Sequence, residues 1–484
     1  MRCPLPPTFA FAGLLSLAGL LGAAPARADG AFPDARQILL PPHRPEQIIL
    51  ATNFGLIFSE DAGSSWLFSC EQSLSAFAGP YLLGPTPSHR LFALTSGAGL
   101  IHSDDESCSW TPAGGALSDV MPYAFAVDPT SEQRVYAIGV LRENFDAGES
   151  LYVSSDGGVT FGAPVFTAPP RTALMTVMVV PSRPTTLLAS VFSAPENHPS
   201  LLRSVDAGEH WEVVADLVDS LGENPFELLA IDPADENIVY VRMLGPADET
   251  LAISRDGGLT FARVVSIPGK LNAFLKLASG TLLVGGSAGN DALAYRSSDA
   301  GLTFQRWSGA PNIHALAERG GKLYIAANNF ADGYAIGESE DDGIYIRPLA
   351  GFKDVRGVKS CVAEACASSC AYQAGINLWP DAVCAADSGP AESSGAAGVP
   401  SGSDDASSNA TSGGAAASGE LERRPSGGAA SADPPPSKGP SEPEAVVAVG
   451  GGCACSLAQP QSRHAWACLA ALLPLLRRRA IRRA

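Results

Sequence analysis

The chain has 484 residues, 46% of them hydrophobic, with 50 acidic against 32 basic side chains and a formal net charge of −18. This length and apolar content allow one large repeat domain with appendages, or several ordinary domains. The acidic balance argues against a body that binds nucleic acid or an anionic membrane surface, and it suits a cationic partner.

At the start, Arg2 precedes an apolar run from Phe9 to Leu21, and Ala26-Arg27-Ala28 has the small-x-small form of a cleavage site. This predicts a signal peptide over 1–28 and export, so the cysteines are read first as disulfides. From there one short pattern recurs: Ser-x-Asp-x-Gly-x-x-aromatic. It occurs as Ser59-Asp61-Gly63-Trp66, Ser154-Asp156-Gly158-Phe161, Ser204-Asp206-Gly208-Trp211, Ser254-Asp256-Gly258-Phe261 and Ser297-Asp299-Gly301-Phe304. Two copies are degenerate: Ser103-Asp105-Ser107-Trp110 lacks the glycine, and Ser339-Asp341-Gly343-Ile346 lacks the aromatic. Successive serines lie 44, 51, 50, 50, 43 and 42 residues apart by subtraction of these numbers.

The chemistry of the pattern is a turn. An Asp carboxylate accepts backbone N–H groups just ahead of it, Gly allows positive φ, and the aromatic returns to the apolar layer as the next strand begins. Strand-like runs flank each copy, such as Leu151-Tyr152-Val153 and Leu251-Ala252-Ile253 before it. Two more runs lie upstream, split by turns such as Asp128-Pro129 and Asp232-Pro233. Four short strands per repeat is one propeller blade. The motif resembles the Asp-box of sialidase-like, sortilin-like and photosystem-assembly-factor propellers. That resemblance implies an all-β, seven-bladed β-propeller over 29–352. Asp61, Asp105, Asp156, Asp206, Asp256, Asp299 and Asp341 would be structural residues in the turn between the third and fourth strands of each blade. No strand from the far terminus is evident to close the ring.

Residues 353–386 hold Cys361, Cys366, Cys370 and Cys384 without a Cys-x-x-Cys pair or a nearby histidine. Two disulfides in a small cap are expected there rather than zinc. Cys70 and Cys108, in adjacent repeats, are expected to bridge each other. Residues 387–450 are dominated by Ser, Gly, Ala, Pro and acids, which reads as a disordered linker. The tail, 451–484, carries Gly451-Gly452-Cys453-Ala454-Cys455, an apolar run from Ala465 to Leu476 and then Arg477-Arg478-Arg479. The run is short against the ~20 residues a spanning helix needs. The tail resembles the MYXO-CTERM sorting signal of myxobacterial surface proteins. That implies processing at Cys453 or Cys455, display at the outer surface of a Gram-negative cell, and membrane contact through the tail alone.

No catalytic motif stands out. The sialidase family opens on a Phe/Tyr-Arg-Ile-Pro arginine, whereas this chain has His43-Arg44-Pro45, in a position where other repeats have only a turn. His102 takes the strand position that Phe58 holds one repeat earlier. No metal or cofactor is expected, since turn formation already accounts for the aspartates. The loops between second and third strands form the candidate ligand face, with Asn144, Asp146, Asn197, Asp248, Asn290, Asp291, Asn329 and Asp332. Tyr81, Tyr123, Phe226 and Phe274 would join them from the inter-blade connections. The function expected is a non-catalytic binding module for a surface protein or glycan. The alternative is a divergent Asp-box glycoside hydrolase, which would need a pair of acids ~5–9 Å apart in a central pocket.

Overall fold

The computed structural model describes residues 32–71, 78–85, 90–144, 148–289 and 291–384. The expected leader, linker and tail lie outside these residues, and with them Asp146, Asn290, Cys453 and Cys455. Among the described residues no helix is long and apolar enough to cross a membrane.

Each repeat folds into one four-stranded antiparallel sheet, and seven such sheets follow one another along the chain as the blades of an all-β propeller. The first strands are Ala35–Leu39, Ala78–Leu83, Val120–Val127, Thr172–Val180, Phe226–Ile231, Lys270–Lys276 and Ile313–Arg319. First strands touch in six of the seven pairs of neighbouring blades, which places them innermost. The second and third strands read as continuous apolar runs because both of their faces are covered by neighbouring blades. Ile48–Thr52 and Gly55–Ser59 are buried throughout. Fourth strands lie at the outer edge and are more exposed, as in Glu212–Asp216. They shrink to two residues in blades 2, 3 and 6 (Thr111–Pro112, Phe166–Thr167 and Gln305–Arg306).

All seven Ser-x-Asp segments form the same turn between third and fourth strands. The serine hydroxyl donates to the aspartate Oδ1, as from Ser254 to Asp256 at 2.7 Å. It also accepts the N–H two residues beyond the aspartate, from Gly258 at 2.8 Å. The aspartate in turn accepts the N–H four residues on, from Thr260 at 3.0 Å. In blade 6 the Thr303 hydroxyl, the Ser297 hydroxyl and the Thr303 N–H lower the Asp299 carboxyl to about 2. The glycine is needed for a second reason besides its φ of +91°. A Cβ at Gly258 would stand 2.2 Å from Leu201 Cδ2, because each turn leans on the preceding blade. In blade 2 Ser107 holds this position at φ +72°, and its hydroxyl bonds Ser69 Oγ of blade 1 at 2.9 Å. The missing glycine is thus replaced by a polar contact between blades.

Closure is the part the sequence left open. Each blade completes itself, and Val355–Val358 then adds a fifth strand, parallel to Trp66–Cys70, on the outer edge of blade 1. The helix Ala363–Gly375 and the residues up to Cys384 follow as the cap. Blade 7, blade 1 and the cap share one apolar cluster, with Tyr324, Ile336, Phe54, Phe68, Phe352 and Trp379 among its members. The Phe68 and Trp379 rings lie 4.9 Å apart. Cys70 does not pair with Cys108, and the cap does not hold two internal bridges. Cys70 bonds Cys366, Cys108 bonds Cys361, and only Cys370–Cys384 is internal to the cap. The reason is positional: the cap lies across the outer side of both blades and offers one cysteine to each. Lys359 reinforces this placement by donating to the Glu106 carbonyl at 2.9 Å. On the other side of the seam Arg319 of blade 7 donates to four carbonyls of the first turn in blade 1, those of Pro41, Arg44, Pro45 and Gln47. Arg44 itself sits in that turn, as read from the sequence, and pairs with Glu106.

Two predictions test this seam. The bridges Cys70–Cys366 and Cys108–Cys361 span 296 and 253 residues. Removing both, as Cys361→Ser with Cys366→Ser, is expected to cost at least about 4 kcal/mol on chain-entropy grounds. Urea unfolding with and without the substitutions measures it. The second prediction concerns His314, whose Nδ1 lies 2.7 Å from Asp34 Oδ1 and 3.0 Å from the Ala35 carbonyl. Burial pushes its pKa down, but the hydrogen bond and charge of Asp34 outweigh this and leave it raised above 6.5. A raised pKa means stability that is complete below the unfolded value and is lost as pH rises through the folded one. Melting temperature should therefore fall as pH rises above about 6.5, and His314→Gln should flatten that part of the profile.

Candidate functional site

The inner strands carry a shared irregularity that decides what the polar residues near the axis can do. Each first strand is bulged close to its start, at Arg36, Gly79–Pro80, Tyr123, Met175, Leu229, Asn272 and His314. A bulge takes backbone N–H and C=O groups out of the ladder, and such groups need other partners when buried. Here the neighbouring blade supplies them. Gln37 exchanges two bonds with the Tyr81 backbone, at 2.8 and 3.2 Å. Tyr123 OH donates to the Leu174 carbonyl at 3.1 Å, and Glu149 Oε2 accepts the Leu174 N–H at 2.5 Å. Thr176 Oγ1 accepts the Leu228 N–H at 2.9 Å. Arg242 Nη1 donates to the Leu271 carbonyl at 2.7 Å, while Glu249 Oε2 accepts the Leu271 N–H at 2.8 Å. Asn272 and His314 reach the carbonyls of Ile313 and Ala35.

Glu227 and Glu249 are two acids near one arginine, and both are buried. Arg242 lies between them, donating through Nε and Nη2 to Glu227, with Nη1 3.8 Å from Glu249. Lys270 Nζ donates to Glu249 Oε1 at 2.7 Å. Burial raises the Glu227 pKa against the pull of Arg242. Burial likewise raises that of Glu149, whose Oε2 also accepts the Tyr123 hydroxyl. Glu149 and Glu249 thus fasten one blade to the next, and Glu227 holds Arg242, whose Nη1 makes another such bond.

The residues expected on the ligand face fall on separate blades. Asn329 accepts the Phe352 N–H at 3.0 Å, and Asp332 accepts from Asn312 and Asn328. These two side chains order their own connection to the cap. Asp248 accepts the Ser266 hydroxyl at 2.8 Å. Asn144 lies exposed in the loop after Leu141, Asn197 takes φ +50° in a hairpin, and Asp291 starts the third strand of blade 6. The aromatic part of the expectation is corrected: Tyr81, Phe226 and Phe274 are core residues, and Tyr123 belongs to the Glu149 fastening. His102 is a buried strand residue opposite Phe92, and burial lowers its pKa. Among the described residues Asp206, Glu209 and His210 bring possible ligand atoms within 4.8 Å of one another. Their geometry follows from the turn, since His210 Nδ1 meets Asp206 Oδ2 where other blades place a threonine hydroxyl.

A groove that the sequence reading missed lies on blade 3, at the end opposite its Ser–Asp turn. It has a volume of about 340 Å³, and its lining includes Asp119, Leu141, Ser150, Tyr152, Pro164 and Thr167. Asp119 ends a short helical turn, Ala116–Asp119, in the connection from blade 2. Ser150 and Thr167 face each other across third and fourth strands, with their hydroxyls 2.9 Å apart. Burial raises the Tyr152 pKa against a hydrogen bond from Ser150. Three separate chain segments meet here, so no local motif announced the site.

No family model and no curated protein matches this chain. Solved propellers resemble it in part. An ancestral GH74 enzyme is 16% identical at TM-score 0.41, over 54% of this chain and 36% of its own. The GH74 xyloglucanase from Xanthomonas campestris is 17% identical at 0.33, over 66% and 59%. YCF48 from Cyanidioschyzon merolae is 13% identical at 0.44, over 60% and 92%. The chain thus spans less than two thirds of these GH74 enzymes, and no residue role is carried over from any of the three.

The buried cluster makes a clear prediction. Arg242→Met leaves the buried Glu227 carboxylate without its cation, while Glu249 keeps Lys270, and should cost about 3–5 kcal/mol, as measured by denaturant unfolding. Glu227→Gln with Glu249→Gln in the same background should recover part of that loss.

Proposed function

We propose that this chain is an exported propeller displayed at a cell surface, where it binds a ligand without transforming it. The observation that carries the reading is the engagement of Glu149, Glu227 and Glu249 by backbone N–H groups, Arg242 and Lys270. A general acid or nucleophile must change its protonation or bonding state during turnover. Glu149 and Glu249 would each have to abandon a bond to the next blade to do so, and Glu227 its hold on Arg242, which makes another such bond. The leader, the Asp-box-like turns and the sorting-like tail support export and display, with the linker as a stalk that holds the body clear of the membrane. The acidic body favours cationic partners by long-range attraction.

The test is a binding screen of the purified protein against glycan arrays and envelope proteins, run beside a glycosidase and lyase substrate panel. Saturable binding without product formation is the expected result. Release of reducing ends or unsaturated sugars, abolished by Glu227→Gln or Glu149→Gln, would replace this reading with the hydrolytic one.

A further inference from the structure

We propose that the groove on blade 3 receives the primary ammonium group of a lysine side chain on a partner polypeptide. This rests on the binding-module reading and adds to it a site and a chemical class. Among the described residues the polar side chains of the lining are a carboxylate, Asp119, and three hydroxyls, Ser150, Tyr152 and Thr167, with no cationic side chain. Among the described residues no Lys, Arg or His lies within ion-pair distance of Asp119, although most acids near the axis have such a partner. Asp119 stands exposed at the lip, while Ser150 and Tyr152 are buried below it. Among the described residues the site therefore has one negative charge at its mouth, with the Ser150 and Tyr152 hydroxyls deeper in.

An ammonium group fits this arrangement because it donates three hydrogen bonds and accepts none. Its charge is compact, so one carboxylate and separately directed hydroxyls can share it, whereas a guanidinium fork is best met by in-plane, bidentate acceptors. The apolar walls, Leu141 and Pro164, suit the methylene stem of lysine, which prefers cover while its head is solvated or bonded. The net charge of −18 draws a basic segment toward the surface before any contact forms.

The experiment is calorimetric titration of the full chain with acetyl-Gly-Lys-Gly-amide and with its acetyl-lysine, arginine and glutamine counterparts. The lysine peptide should bind, weaken with added salt, and lose about tenfold on Asp119→Asn and on lysine acetylation, the loss of one charge-assisted bond. Thr167→Val should weaken it further; the melting curve of Asp119→Asn should match the parent because that side chain is exposed, whereas Thr167→Val should melt lower because it removes the partner of the buried Ser150 hydroxyl. Equal affinity for the acetyl-lysine or arginine peptide overturns the ammonium assignment. Lysine binding unchanged by both substitutions overturns the groove as the site, while leaving the binding-module reading in place. No binding of any peptide, with an envelope protein or glycan captured in the screen above, overturns the lysine class alone. Turnover of a glycan in that screen overturns the binding-module reading itself.

Discussion

The bulge near the start of each inner strand constrains nearly everything else in this propeller. It turns the strand toward its neighbour and removes an N–H and a C=O from the ladder in a place largely closed to water. Leaving such groups unpaired costs more than a made bond returns. The adjoining blade must therefore supply a polar side chain at each joint, and six of the seven joints show one: Gln37, the Tyr123–Glu149 pair, Thr176, the Arg242–Glu249 pair, Asn272 and His314. Once these residues are committed to backbone groups, the acids near the axis are structural members.

The same logic explains the seam. Blade 7 and blade 1 are the two ends of the repeat, and the chain joins them only through Val355–Val358, which leaves blade 7 to pair at the outer edge of blade 1. Several contacts of different kinds compensate for this. His314 and Asp34 reproduce the joint bond with added charge, Arg319 gathers four carbonyls, and the cap brings a parallel strand, an aromatic cluster and two cross-links. Blade 2 takes part through Ser107, where its turn departs from the pattern, and through the neighbouring Cys108. The groove on blade 3 lies beyond the cap's two disulfide anchors in blades 1 and 2.

Much of the architecture was legible because its cause is local. A Ser-x-Asp-x-Gly turn is closed by atoms within a few residues of one another, so its hydrogen bonds can be inferred from spacing, and seven copies count the blades. The degenerate copy at Ser103 was legible as a turn, but Ser107 could not be explained, since its partner Ser69 is in another blade. The cysteines show the same limit. Six residues could be assigned to disulfides from compartment and number, but pairing depends on where the cap lies. Adjacent repeats suggested Cys70–Cys108, whereas the cap cysteines reach both. On the ligand face, polarity in a hairpin marked Asn329 and Asp332, yet each is held by the N–H groups of the segment beside it.

The sequence by itself determined the fold class, the blade count, the turn chemistry and the presence of a cysteine-linked cap. These follow from short-range geometry and from a period repeated often enough to exclude chance. Only the tertiary structure decided how the ring closes, which cysteines meet, which acids are consumed at the joints and where a groove remains. Those depend on register and on contacts between segments tens to hundreds of residues apart. Asp119, Ser150 and Thr167 come together only because a connection from one blade crosses the strand ends of the next.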